Sequence, residues 1–236
     1  MNARITRVAL VTGSNRGLGL AIVRGLAELG LHVVLTARSD QAAEVAAAPL
    51  IAEGLPVSAH QLDVTDVASV SRAIADVAFD HGRLDVLVNN AAVAIDRGLD
   101  ASTLDQERVK ATFETNVFGA WRCVSAVVPV MKEQGYGRIL NLTTHMASLS
   151  TMKSGSPSYR VSKAGVNALT KVLADELREH NILVNAASPG RADTRLAYGR
   201  ADRTPEEAAS TMLWLATLPD DGPTGGLFFG REALAW

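Results

Sequence analysis

Hydrophobic positions in this chain fall in short unbroken runs that alternate with longer stretches of helical spacing. Residues 7–12 (RVALVT), 32–37 (HVVLTA), 56–63 (PVSAHQLD), 84–90 (LDVLVNN), 137–144 (GRILNLTT), 182–187 (ILVNAA) and 226–229 (GLFF) read as strands. Between them, 17–30, 40–54, 66–82, 157–180 and 205–217 read as helices, and 103–134 as one or two long ones. Gly30, Gly54 and Gly135 end three of these, and Asp66 is placed to cap the helix at 66–82. Pro49 is expected to break or kink its helix, because it lacks an N–H and its ring crowds the turn before it.

Strands that are apolar without alternation need cover on both faces. The pattern therefore implies an α/β fold, a doubly wound parallel sheet of about seven strands with helices on both faces. No internal repeat or low-complexity linker interrupts it, so residues 1–236 are expected to form a single domain. The irregular segment 190–204 (GRADTRLAYGRADRT) follows a strand. A loop over a site and a plain solvated connector are equal readings of its composition, and a substrate loop is the expectation.

Composition narrows the class. Hydrophobic residues make up 47% of the 236, enough for one large core, and a net charge of −2 gives no footprint for nucleic acid or an anionic membrane. The single cysteine, Cys123, allows no internal disulfide, fits a reducing compartment and reads as core rather than nucleophile. The first apolar run, Val8 to Val11, is too short for an export signal, and no run is long enough to span a bilayer. A soluble cytoplasmic protein is the expectation. The five histidines have no metal-binding spacing, so no metal is expected.

Candidate chemistry begins at the first strand–helix junction, Thr12-Gly13-Ser14-Asn15-Arg16-Gly17-Leu18-Gly19. Glycines here let the backbone turn tightly and approach a pyrophosphate, which the helix N-terminus then receives. A tight turn alone would explain the glycines. The strand before and the helix after favour a dinucleotide. At the end of the second strand, where an acidic residue would bind an adenosine ribose, stand Thr36-Ala37-Arg38, with Asp40 two residues late. Arg38 and Arg16 together predict a clamp on a 2′-phosphate, hence NADP(H). A merely solvated Arg38 is the plain alternative.

Tyr159 and Lys163 are four residues apart in a helical segment, a turn apart on one face. An ammonium beside a phenol favours the phenolate and eases proton exchange. Tyr-x-x-x-Lys is also common by chance.

Together these pieces resemble the short-chain dehydrogenase/reductases along nearly the whole chain. They occur in that family's order: TGSNRGLG (12–19), LDV (62–64), NNAA (89–92), Asn116 in ETNVFGA, GRILNLTT (137–144), YRVSK (159–163) and Pro189-Gly190. The segment 204–226 looks like bacterial and plant members similar to carbonyl reductases. The resemblance implies a Rossmann-like sheet and places residues 13–19 on the cofactor, with Asp63 and Val64 beside its adenine. Asn89 would brace the central strands, and Asn90 and Ala91 would line the cofactor path. Pro189 and Gly190 would face the nicotinamide, and Thr194 its carboxamide. Tyr159 would be the acid/base. Lys163 would bind the ribose and lower the Tyr159 pKa, and Asn116 would hold a water in a proton relay.

Thr144 stands where the family has a substrate-orienting serine, fifteen residues before Tyr159. It keeps the hydroxyl and adds a methyl; Thr143 and Ser148 are the substitutes. Ala92 and Ala147 replace glycines, and GRADT follows Pro189 where a bulky apolar residue is usual. The expected activity is NADPH-dependent reduction of a ketone or aldehyde to an alcohol, reversibly. A dinucleotide-binding regulator without catalysis, or a reductase of an imine or activated alkene, are the alternatives. The substrate is expected to be a small carbonyl compound held by 92–98, 145–157 and 190–204. Met146, Leu149, Met152, Leu196 and Tyr198 suggest a partly apolar pocket, and Arg191 and Arg195 leave room for an anion. The resemblance also implies a homodimer or homotetramer through 103–134 and 157–180.

Overall fold

A computed structural model describes residues 6–103, 105–193 and 201–236. Among these residues seven strands run parallel: β1 (Val8–Val11), β2 (His32–Ala37), β3 (Val57–Gln61), β4 (Val86–Asn89), β5 (Gly137–Leu142), β6 (Ile182–Ala187) and β7 (Leu227–Phe229). An eighth, β8 (Glu232–Leu234), returns antiparallel to β7 through Gly230 and Arg231, giving the order β3-β2-β1-β4-β5-β6-β7-β8. The expected count of about seven thus becomes eight. Glu232 and Ala233 are exposed, so β8 has no buried apolar run to announce it.

Neighbouring side chains on each strand point to opposite faces and feed two cores. Ala9 and Val11 of β1 with Val86 and Val88 of β4 face α1 (Gly17–Glu28), α2 (Asp40–Ala52) and α7 (Pro205–Ala216). Val8, Leu10 and Leu87 face α3 (Val67–His81), α5 (Ala120–Gln134) and α6 (Pro157–Glu176). Burial on both faces explains the non-alternating runs. Strand order reverses between β1 and β4, which opens a crevice at their carboxyl ends.

Asp66 caps α3 by accepting from the Ala68 N–H at 2.8 Å, and Gly82 and Gly135 take left-handed conformations where α3 and α5 end. Pro49 does not break α2, which continues to Ala52. The carbonyl it leaves without a donor belongs to Val45, whose side chain is exposed, so water can take that carbonyl's bond. The stretch 103–134 divides more finely than expected. It comprises α4 (Gln106–Phe113), a wide π-helical turn over Glu114–Gly119 and α5. The helix expected over 157–180 ends at Glu176, and a separate short turn covers Arg178–His180.

Arg138, the second residue of β5, is fully buried. Its guanidinium donates to the carbonyls of Leu218 at 3.0 Å, Gly137 at 2.9 Å and Asn181 at 3.2 Å, and to Asp220 at 2.8 Å. It also lies over the Tyr136 ring.

At the other side of the sheet, the His32 ring lies 4.2 Å from that of His81. Burial first, then the neighbouring His81 and His60, lower the His32 pKa from 6.5. The folded state therefore binds fewer protons than the unfolded chain near that pH. Stability is greatest above the unfolded value and falls as pH drops through about 6.5 toward the lower folded value. Thermal melts of His32→Gln between pH 7.5 and 5.5 should lose part of the wild-type acid sensitivity; equal slopes would exclude His32 as its source.

Candidate active site

β1 runs straight into the glycine loop. Gly13 and Gly17 hold φ of +59° and +54°, conformations that glycine adopts without strain. A Cβ on Gly19 would lie 2.6 Å from the Asn90 amide nitrogen and 2.7 Å from the Ser14 Cα. The Asn90 amide donates to the carbonyls of Thr12 at 2.8 Å and Gly13 at 3.0 Å, so the end of β4 fixes the loop's shape. Ser14 ties β1 to β2, its hydroxyl donating to the Val11 carbonyl and accepting from the Thr36 N–H. Arg16 begins α1 without a side-chain cap, and no acidic residue sits in the first turn. The helix therefore offers unfilled N–H donors and its positive end to an anion.

The loop forms one wall of a cavity of about 740 Å³. Gly13, Arg16, Gly17, Leu18, Gly19, Asn90, Ala91, Pro189 and Gly190 line it, together with Thr144, Tyr159 and Lys163. These predicted cofactor and catalytic residues thus meet in one crevice. Ser14, Asn15, Arg38, Asp63, Val64 and Asn116 are not part of its wall. Arg38 is exposed at the end of β2. Asp63 binds the backbone and hydroxyl of Thr65. Thr194, with Arg195, Leu196 and Tyr198, lies outside the described residues. The base of the segment 190–204 is closed, since Asp193 donates to the Arg203 carbonyl and Asp202 to the Arg191 carbonyl. Of the apolar residues expected in the pocket, Met146 lines the cavity, whereas Leu149 is exposed.

Thr144 presents the expected hydroxyl. Its Oγ1 accepts from the Met146 N–H at 3.2 Å, which leaves its own O–H to donate. The substitutes are engaged elsewhere. Thr143 donates toward the Lys163 carbonyl at 3.4 Å, and Ser148 bonds Ser150 and the Trp236 carbonyl.

Lys163 Nζ donates to the Leu142 carbonyl at 2.6 Å, and burial lowers its pKa to about 8. Burial raises the Tyr159 phenol to about 12, with no lowering by Lys163 in the protein alone. Burial keeps the phenol protonated, the form a proton donor needs. Asn116, in the π-helical turn, accepts from the Val93 N–H at 2.8 Å and donates to the Val93 carbonyl at 2.9 Å and to Ser162 Oγ at 3.0 Å. Ser162 in turn donates to the Tyr159 carbonyl at 2.8 Å. Asn89 braces the sheet by donating to Asn141 at 2.9 Å. Burial pushes the Cys123 thiol up to about 12, so it is core and not a nucleophile.

Ser162 and Asp96 were not legible as site residues. Asp96 is fully buried and bonds the first turn of α6, a contact between segments far apart in sequence.

The short chain dehydrogenase family profile matches residues 7–204, most of the chain and every element of the crevice described above. The chain belongs to the short-chain dehydrogenases. Carbonyl reductase [NADPH] 1 of Macaca fascicularis is 36% identical, the match covering 98% of this chain and 98% of that one. A metagenomic short-chain oxidoreductase solved in complex with NADP is 30% identical, with a TM-score of 0.80 over 93% of this chain and 95% of that one. An actinorhodin polyketide ketoreductase variant solved with NADPH is 29% identical, with a TM-score of 0.86 over 96% of each chain. The glycine loop, the end of β4, Thr144 and the start of α6 all lie within the stretch matched to short-chain dehydrogenases.

Proposed function

We propose that this protein reduces a ketone or aldehyde to the alcohol, reversibly, with Tyr159 giving the substrate oxygen its proton. The chain is an NADP(H)-dependent short-chain oxidoreductase, by family, by its carbonyl reductase [NADPH] relatives and by its NADP-bound structural neighbours. The cradle fits the cofactor. Gly13 and Gly17 turn the loop in conformations that glycine adopts without strain, and the first turn of α1 is uncapped and free of acidic side chains. Residues 13–19, Asn90 and Ala91 would hold the dinucleotide, with Pro189 and Gly190 at its nicotinamide end and Lys163 at a ribose. Thr194 is proposed for the carboxamide. When bound, NADPH supplies the hydride.

The carrying observation is that Tyr159, Thr144 and Lys163 line the same cavity as the glycine loop. Hydride addition makes a carbonyl oxygen strongly basic, so a proton donor must sit about 3 Å away. Thr144 Oγ1 and the Tyr159 hydroxyl together hold that oxygen, and Tyr159 donates. Lys163, charged near neutral pH, favours the phenolate left behind. Asn116 and Ser162 hold the backbone that carries Tyr159.

The test is NADPH consumption against a panel of carbonyl compounds. The cavity wall carries Arg97, Arg160 and Arg191 beyond the cofactor residues, and no carboxylate among the described residues. Keto acids are therefore expected to outperform their methyl esters. Tight NADPH binding with no turnover of any compound would sink this reading and favour a regulator. In the same assay, Arg16→Ala with Arg38→Ala should cut the preference for NADPH over NADH by at least about tenfold, since charge-assisted bonds to a 2′-phosphate are the strong ones. An unchanged preference would remove both arginines from that role.

Exposed apolar side chains on the helices support a homo-oligomer. Phe118 and Trp121 follow one another around the start of α5, and Val161 and Val172 lie on α6, each about half exposed or more. Light scattering that finds only a monomer at working concentration would remove this part of the proposal.

A further inference from the structure

We infer that Asp96 is a positioning residue for Tyr159, holding the first turn of α6 in place from the segment after β4. The inference rests on the reading of Tyr159 as proton donor.

The start of α6 lacks the usual means of closing a helix. Ser156 precedes it in the left-handed region, at φ +49°, and its side chain makes no cap. Pro157 has no N–H to satisfy. The next two N–H groups, of Ser158 and Tyr159, both donate to one oxygen, Asp96 Oδ2, at 2.5 and 3.2 Å. The fourth, of Arg160, donates to the Ser156 carbonyl at 3.0 Å. A residue sixty-two positions upstream thus does the work of the helix's own N-cap. Its charge also faces the positive end of the helix dipole.

Asp96 is 0% exposed, and its Oδ1 has no hydrogen-bond partner within the protein. Burying a carboxylate with one oxygen unsatisfied is costly. A cap that served stability alone would be met more cheaply by a serine at position 156 in ordinary N-cap geometry.

The peptide of Tyr159 is therefore gripped on both sides. Asp96 takes its N–H, and Ser162, held by Asn116, donates to its carbonyl. Both grips reach the segment after β4, through Asp96 itself and through Val93, bonded twice by Asn116. Arg108 adds a third bond to the same segment, donating to the Ile95 carbonyl at 3.1 Å. Arg160 ties the turn to the cavity wall, donating to the carbonyls of Gly155 at 2.6 Å and Met146 at 3.2 Å. The phenol's place is set by a frame whose one charged acceptor at the helix start, among the described residues, is Asp96.

Steady-state kinetics of Asp96→Ala and Asp96→Asn, on the best substrate of the panel, test this. Asparagine keeps an acceptor oxygen at the same reach; alanine removes it. Asp96→Ala should lower kcat by roughly 10- to 100-fold, as small misplacements of a reacting group do. KM and the NADPH Kd should stay within about threefold, and Asp96→Asn should recover most of kcat. If Asp96→Ala does not fold, Asp96→Ser and Asp96→Glu carry the comparison. Serine, a short acceptor, should then lose kcat with KM unchanged, and glutamate should not restore it, because its longer stem overshoots the turn. A kcat for Asp96→Ala within twofold of wild type overturns the inference. So does a parallel loss of kcat and NADPH affinity that asparagine fails to rescue. Inactivity of the wild type toward every carbonyl would instead fail the proposed reaction, and this inference with it.

Discussion

Phenylalanine at position 159 should lower kcat/KM for carbonyl reduction by about 10²–10⁴-fold, the range a positioned general acid contributes. The substitution removes one hydroxyl and keeps the ring, so the first turn of α6 and its bonds to Asp96 are preserved. The NADPH Kd should stay within about threefold of wild type. Lys163, proposed to hold the ribose, is untouched, with its own bond to the Leu142 carbonyl. The wild-type reduction rate should also show no loss from Tyr159 ionisation between pH 6 and 9, because burial places its pKa near 12. Initial rates and fluorescence titration of NADPH provide both measurements. Turnover within about threefold of wild type in Tyr159→Phe would remove Tyr159 from the proton-donating role.

The largest expected stability effect lies at the opposite end of β5. Arg138→Met should destabilise the fold by about 3–5 kcal/mol, because buried carbonyls stripped of their donors cost about 1–3 kcal/mol each. The Leu218 carbonyl loses its donor outright, while the Gly137 and Asn181 carbonyls each lose one donor and keep the Leu183 and Gly137 N–H groups of the β5–β6 ladder. For a chain of this size that corresponds to a melting temperature lower by roughly 6–20 °C. Asp220→Asn should cost within about 1 kcal/mol, since Asp220 is 69% exposed and pairs mostly in solvent. Denaturant unfolding of the two variants separates the contributions. Equal losses would place the energy in the ion pair rather than in the carbonyls.

Much of the fold was legible because its signals are local. Both faces of β1, β4 and β5 are covered, so their sequences read as continuous apolar runs, and Gly82 and Gly135 end helices where glycine is needed. What escaped depends on contacts between distant segments. β8 is held by pairing with β7 and carries no apolar run of its own. Pro49 is tolerated because its helix face is solvated. The wide turn at 114–119 follows no spacing rule, yet it turns Asn116 toward Val93 and Ser162. The site divides the same way. The glycine loop and Tyr159–Lys163 follow short-range spacing rules, whereas Asp96 is one more acidic residue until the chain brings it under α6. The effect of Lys163 on Tyr159 does not follow from spacing alone, because burial also moves both groups.

The pairing of Ala192 with Arg203 has a consequence for how this enzyme type diversifies. That bridge joins the two shoulders, so a segment inserted between them starts from ends already held together. Doubling the length of such an insert adds only about 0.6 kcal/mol of closure entropy. Grafted segments of other lengths and compositions should therefore be accepted there without loosening the sheet.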